Sequence, residues 1–591
     1  MNGLVDRLRA GQTQLLMLLA FLGLAVLLLG PIWLSPTTRT LGGGVGDPGI
    51  FIWSLRWTPF AIGRHISPLF SDYLNYPDGI NLMWNTWVPL PGLLLSPVTL
   101  AFGPVLSFNL LVTLGYGLSA WSAYLAIRRY VPNHAAAAVG GLVYGFSPAM
   151  VGHSHHLNLL LIFLLPWLLI LVDEIVVRQD RSPVWLGVAL GVAAAAQVLI
   201  SVELFAGALL VGGLLLVALV AMQAPLPMRR VRYAAVAFAV GLVTFGALVA
   251  VPLKEQVAGQ GRVHGDITEE VRGSSDLLAV VTPSRLSAVA PDAAIRSGDR
   301  FAGSKEAYLG IPLLLVVVVL LVVHRSPVAG IGAVMLLVCM ALSLGERLRV
   351  GGHATPMPLP WSAFESLPLL RNIVPARFAL FTALFAGLLV AVALDALWWG
   401  GGRWRRALAV ATTLAVLASL APVAPLRSIP VMATPRFFTT SAETALPRDE
   451  VALVLPFPQK GRANRAMLWQ TEAGMWFKMP GGYFVAQGPD GAAVREAPPS
   501  STSLALLGIQ RGGRPPELTA ALRQAIARDF ARWRVRSVVL GPMPNRRTMA
   551  GFLGDLLGRS PERVAGVELW ANARVAGTTG TARIDARYAT R

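Results

Sequence analysis

Long apolar runs separated by short basic stretches fill the chain from 15 to 425, and the pattern changes character beyond that point. The first run, Leu15 to Leu34, is long enough to cross ~30 Å of hydrocarbon at helical rise. Further runs fall near 105 to 127, 135 to 150, 157 to 176, 184 to 200, 203 to 222, 233 to 252, 308 to 323, 329 to 345, 376 to 399 and 407 to 425. On the ~20-residue criterion they predict about eleven spans. Arg7 and Arg9 precede the first run, which predicts a cytoplasmic N-terminus. A secretory signal is the rival reading, but the apolar stretch is long and no small-x-small cleavage site follows it, so it is read as a retained span.

The basic clusters check this count. Arg128 and Arg129, Arg178 and Arg181, Arg229, Arg230 and Arg232, His324 and Arg325, and Arg403, Arg405 and Arg406 all fall on one side, which the positive-inside rule makes cytoplasmic. The sorting works only if Trp87 to Gly103 does not cross. With Pro89, Pro91 and Pro97 inside it and Pro104 after it, that stretch predicts a juxtamembrane or re-entrant helix.

Three external segments result: 35 to 104, 253 to 307, and the tail from 426. The tail reads differently. Val451 to Leu455, Val535 to Leu540 and Val564 to Trp570 predict strands, and Pro515 to Trp533 an amphipathic helix. The expected organisation is a transmembrane domain over 1–425 and an extracytoplasmic mixed α/β domain over 426–591, joined by a linker at Pro422 to Pro435.

Composition agrees with a polytopic α-helical membrane protein. Of 591 residues, 54% are hydrophobic and 14% charged, with mean hydropathy +0.59, more apolar than a soluble core requires. The net charge of +19 does not predict nucleic-acid binding, because the basic residues are scattered between apolar runs rather than gathered in one stripe. With Cys339 the only cysteine, neither an intrachain disulfide nor a thiolate metal site can form.

The polar residues that stand out gather at the outer rim. Asp47 lies in the Gly-rich stretch Leu41 to Gly49 just beyond the first span. A carboxylate at a cavity mouth can take a proton from an acceptor hydroxyl, and glycines permit tight backbone geometry near a ligand; an Asp-Pro turn at a span end is the alternative. The same loop carries Arg56, Arg64, His65, Asp72 and Asp78 among Trp53, Trp57, Tyr73, Tyr76, Trp84 and Trp87. That mixture suits a sugar or headgroup, or else an interfacial aromatic belt.

The next outer turn offers His153, Ser154, His155, His156 and Asn158. It supplies no acidic or cysteine partner at metal-site spacing, so His155 and His156 are read as hydrogen-bonding to substrate or phosphate, with a solvated polar turn as the other reading. Glu203, at the start of an apolar run, is a functional candidate because ionisable groups near a bilayer are expensive; a carboxylate snorkelling to water is its alternative. The 253 to 307 segment, with His264, Asp266, Asp276, Arg285 and the stretch Gly303 to Gly310, could close over a substrate. Arg371 and Arg377 concentrate positive charge outside, where guanidinium groups stabilise a departing phosphate or anchor to headgroups.

GDPGIFIWSLRW at 46–57, GFSPAMVGHSHHLN at 145–158 and LPLLRNIVPARF at 367–378 resemble large bacterial integral membrane glycosyltransferases of the GT-C class. The resemblance implies a polyprenyl-phosphate sugar as donor and an acid in the first outer loop as base, and Asp47 is the matching position. It implies an inverting single displacement onto a cell-envelope glycan, lipid or protein acceptor at the outer face of the plasma membrane. Polyprenyl phosphate would leave, held by Arg371, Arg377 or Arg56. No DxD motif is present, so a divalent cation stays an open question. The competing class is a transporter or non-catalytic scaffold for envelope lipid or glycan assembly. The paired hydropathy halves that a transporter would show are not found, and the polar groups favour one rim.

Overall fold

The computed structural model describes every residue except 1, 224–226, 266–272, 299–300, 302–304, 368–369, 460–463, 489, 497 and 579–591. The chain divides into two compact units that are not contiguous in sequence. The first comprises Met1–Ser35, Asn109–Ala250 and Thr268–Ser428; the second comprises Pro36–Phe108, Val251–Ile267 and Ile429–Arg591. The first outer loop thus clusters with the tail rather than with the spans that flank it.

The first unit is helical. Among the described residues of the whole chain, seven helices are long and apolar enough to cross a membrane, including Pro104–Ile127, Val202–Met222 and Pro375–Trp399, which makes this a polytopic membrane protein. Pro183–Val198, Ile311–Val323 and Pro327–Ser343 are apolar but shorter, and Arg403–Leu420 opens on three arginines. The most buried helix, Ala379–Trp399, packs on His134–Gly145 through paired glycines. A Cβ on Gly140 would lie 2.5 Å from the Gly387 carbonyl, and one on Gly387 2.4 Å from the Gly140 carbonyl. Only glycine allows that approach, the small-residue packing expected between spans.

Basic clusters from separate loops meet at one end of this unit. Arg129 bonds Asp173 at 2.9 Å and Glu174 at 2.5 Å, and Arg178 bonds Asp173 at 2.9 Å. Gln179 donates to the Arg230 carbonyl, and Tyr233 to that of Arg181. Three of the five loops that the basic pattern sorts together, those around Arg129, Arg178 and Arg230, are therefore together in space.

The second unit is built on a four-stranded mixed sheet. Val451–Leu455 runs parallel to Val535–Leu540, which pairs antiparallel with Val567–Trp570, and that strand pairs antiparallel with Glu562–Val564. The expected strand over 564–570 is instead a hairpin, because Ala565 and Gly566 both take positive φ and turn the chain between two strands. The expected helix over 515–533 begins at Ala520, as Pro515 and Pro516 give it a non-helical approach.

Alternation along Val451–Leu455 explains the layering. Val451, Leu453 and Leu455 join Ile526, Phe530 and Leu553 on one face, while Ala452 and Val454 join Trp53, Trp57, Tyr73 and Trp469 on the other. Trp53, Trp57, Tyr73 and Trp87 of the first loop are thus core, with Trp57 0% and Trp53 1% exposed. Burial, rather than a sugar platform or an interfacial belt, accounts for them. The 87–103 stretch forms two helices, Pro89–Leu94 and Ser96–Phe102. At ~1.5 Å per residue neither is long enough to cross.

Candidate functional site

Asp47 opens the helix Asp47–Gly63 of the second unit. The approach is steep: Gly42, Gly43, Gly44 and Gly46 all have φ between 67° and 74°, and Gly46 pairs φ 71° with ψ −143°, a combination confined essentially to glycine. The Gly46 peptide is held from both sides by Asn464, whose Oδ1 accepts from Gly46 N at 2.8 Å and whose Nδ2 donates to Gly46 O at 3.0 Å. Asn464 is 1% exposed. Pro48 sits in the first turn of the helix, where its missing N–H costs nothing.

The Asp47 carboxylate accepts a hydrogen bond from the Tyr483 hydroxyl at 3.0 Å. Burial, and then the Asp47 charge, push the Tyr483 phenol well above its ordinary range. It remains a proton donor at any working pH.

The other acids of the loop are used differently. Asp72 ion-pairs with Lys478 and Asp78 with Arg532. Arg56 lies nine positions beyond Asp47, two and a half turns on and so on the opposite side of the helix. Burial lowers its pKa from the ordinary value, with the Glu472 charge acting in the opposite sense. The structure does not bring Arg56 to Asp47.

A second cluster lies in the first unit. Glu203, in the first turn of Val202–Gln223, ion-pairs with Arg377 and accepts from Val374 N at 2.9 Å. Arg377 belongs to the 3₁₀ turn Pro375–Phe378 that leads into the buried helix. Among the outer-turn histidines, His153 is the buried one, at 8% exposure. Its ring stands 5.7 Å from that of His156, and neither of its nitrogens has a hydrogen-bond partner among the described residues. Burial first, then His156 and Arg377, lower its basicity well below the usual value, so His153 is a neutral imidazole near a guanidinium. His155, His156 and Arg371 are partly buried members of the same unit, each engaged with neighbours.

Glu203, Arg377 and His156 are thus associated through His153 and the Val374 turn. His153 could be singled out from sequence only as one histidine of a cluster; nothing in the pattern marks which ring is buried. Asn464 and Tyr483 carry no sequence signal linking them to a loop more than four hundred positions away. Asp276, read as part of a closing loop, accepts from the backbone N–H groups of Leu278, Gly351 and Gly352 and so holds a turn. Asp266, Gly303 and Ser304 lie outside the described residues. Among the described residues no group of three His, Cys, Asp or Glu side chains stands together to hold a metal ion.

Comparison with solved structures defines the class of fold. The chain is similar to the arabinofuranosyltransferase AftD from mycobacteria, with a TM-score of 0.56 at 15% identity over 95% of this chain and 40% of AftD. It is also similar to the oligosaccharyltransferase AglB from Archaeoglobus fulgidus, in complex with an inhibitory peptide and a dolichol-phosphate. There the TM-score is 0.50 at 14% identity, over 89% of this chain and 69% of that one. The chain therefore has a GT-C-like membrane fold, and it spans about two fifths of the length of AftD. No curated relative matches it in sequence. The chain belongs to the family described as a domain of unknown function, DUF6311, whose model matches residues 17–417.

Proposed function

We propose that this protein is an inverting membrane glycosyltransferase that moves a sugar from a polyprenyl-phosphate donor to a cell-envelope glycan, lipid or protein acceptor, with Asp47 as general base. The observation that carries the reading is the placement of Asp47: first residue of a helix, on a glycine-built turn, its carboxylate held by the half-buried phenol of Tyr483. The fold shared with AftD and AglB supports glycosyl transfer as the chemistry.

In this reaction the acceptor hydroxyl oxygen attacks the anomeric carbon while the bond from that carbon to the phosphate oxygen breaks. The hydroxyl proton passes to Asp47, and polyprenyl phosphate leaves with the electron pair, with inversion at the sugar. A phosphate leaves as an anion, so no second carboxylic acid is needed to protonate it. Binding of that phosphate falls to Arg371 and Arg377 with His153, His155 and His156, where guanidinium and imidazole N–H groups donate to phosphate oxygens. Glu203 keeps Arg377 in place. The proposed topology is the one the basic clusters of the sequence predict: Arg129, Arg178, Arg230 and the N-terminus cytoplasmic, about eleven crossings of the plasma membrane, and the active site and tail extracytoplasmic.

The test is mass spectrometry of lipid extracts and envelope glycans from a deletion strain carrying empty vector, the wild-type gene or Asp47→Asn at equal expression. The reading expects loss of a glycan and accumulation of a polyprenyl-phosphate sugar in the deletion and in Asp47→Asn. An unchanged glycan profile in the deletion strain would move a transport or scaffold role ahead of catalysis.

A further inference from the structure

Asp47 comes from the first outer loop, yet the phenol bonded to its carboxylate comes from the tail. We propose that Tyr483 is the positioning residue for Asp47, fixing the plane of its carboxylate for proton transfer, and that the C-terminal part of the chain is thereby a working part of the active site. The inference rests on the reading of Asp47 as general base.

Two reciprocal amide clasps bracket the Tyr483–Asp47 hydrogen bond. On one side the tail residue Asn464 binds both polar groups of the Gly46 peptide, at 2.8 and 3.0 Å. On the other the loop residue Asn85 binds both polar groups of Val485, donating to its carbonyl at 3.0 Å and accepting from its N–H at 2.7 Å. Upstream of Tyr483, Met479 N donates to Tyr73 O and Tyr76 N to Met479 O, each at 3.0 Å. The segment between is shaped for close packing, because a Cβ on Gly481 would lie 2.9 Å from the Phe457 ring and one on Gly482 2.5 Å from the Phe484 ring. The backbones bearing the phenol and the carboxylate are thus both anchored, and loop and tail hold each other.

Such support has a chemical use. A general base must meet the acceptor proton within a few tenths of an ångström, and a mobile carboxylate forfeits much of the orientation advantage. A phenol that stays protonated is a permanent donor, and a hydrogen bond to the ionised carboxylate favours that form. The charged groups that act on Tyr483 are Asp47, Arg495 and Glu496, so Asp47 is the one that bonds it directly.

The experiment uses full-length protein in membranes of the deletion strain, whose accumulated lipid-linked sugar serves as donor, and follows transfer against pH for wild type, Asp47→Asn, Tyr483→Phe and Asn464→Ala, with melting curves for each. Tyr483→Phe is expected to transfer about tenfold more slowly near neutral pH, with the acid limb of its profile moved to higher pH and an unchanged melting curve. Without the phenol the carboxylate is protonated more readily, which moves the acid limb, while the lost orientation lowers the plateau above it. A Tyr483→Phe profile that overlays wild type, or that falls equally at every pH, would overturn the positioning role while Asp47→Asn stays inactive. Full activity in Asp47→Asn would instead sink the base assignment itself, and the positioning role with it. Asn464→Ala, if it folds, should lower the rate without moving the limb, since it acts on the backbone and not on the carboxylate.

Discussion

Glu203 and Arg377 form an ion pair in which the carboxylate also accepts the backbone N–H of Val374 at 2.9 Å. An acid at the start of one helix thus fixes the turn from which an arginine enters another. Both side chains are about four-fifths buried, at 18% and 23% exposure, and removing one partner of such a pair leaves the other charge poorly solvated. Glu203→Gln keeps the acceptor for Val374 but discards the charge. It should lower stability by about 1–3 kcal/mol, less than for a fully buried pair, read as a drop in apparent melting temperature. A double-mutant cycle with Arg377→Ala should show strong coupling, and additive effects would contradict the pairing.

Asp449 ties the first loop to the tail, accepting from Arg64 at 2.8 Å and from Tyr73. Burial works against its ionised form, but the Tyr73 phenol and the Arg64 guanidinium outweigh that and hold the carboxyl below its usual range. A depressed carboxyl contributes stability that is full above its unfolded value of about 3.9 and is lost as pH falls through the folded value. The melting-temperature gap between wild type and Asp449→Asn should therefore be constant from about pH 8 to 5 and narrow below about pH 4. A gap that widens in acid would contradict this sign.

Two glycines near Asp47 separate conformation from space. A Cβ on Gly46 would meet nothing within 4 Å, but the backbone there is glycine-only, so Gly46→Ala should cost about 1–3 kcal/mol through strain alone. A Cβ on Gly49 would lie 2.7 Å from the Gly44 carbonyl and 2.9 Å from Asn464 Nδ2, so Gly49→Ala must shift the turn that presents Asp47. Both should reduce transfer, and Gly49→Ala should also disturb the Asn464 clasp, seen as faster hydrogen exchange at Gly46. Wild-type exchange and activity in both would show that the turn tolerates remodelling.

His153 provides a test that divides packing from binding. Its two ring nitrogens have no partner among the described residues, and replacing an unsatisfied buried polar group by an apolar one of similar shape is neutral or stabilising. His153→Phe should keep or raise the melting temperature while slowing transfer about tenfold or more, as expected when a donor to phosphate is lost. Equal transfer would assign His153 to packing alone.

The polytopic helical class was legible in the sequence because apolar length is a local signal. The convergence of Arg129 and Arg178 on Asp173 follows the charge pattern directly. The tail strands at 451–455 and 535–540 were legible through their apolar runs, whereas the 562–570 hairpin was not, because a turn of Ala565 and Gly566 lacks the usual Asn-Gly signature. The loop tryptophans misled for a related reason: interface and core use the same residue types, and only the sheet formed by distant tail strands decides which. Asp47, Glu203 and Arg377 stood out as charges in apolar company. Their supports Tyr483, Asn464 and Val374 are ordinary residues whose roles exist only in the folded contacts.

The most direct test of Asp47 as base is the single-turnover rate of sugar transfer by purified Asp47→Asn protein in nanodiscs, with lipid extract of the deletion strain as donor source. Asparagine preserves shape and an acceptor for Tyr483 but cannot take the proton. A loss of about a hundredfold or more with an unchanged melting curve is the predicted result; a rate within about threefold of wild type, well short of what a lost general base costs, would contradict it.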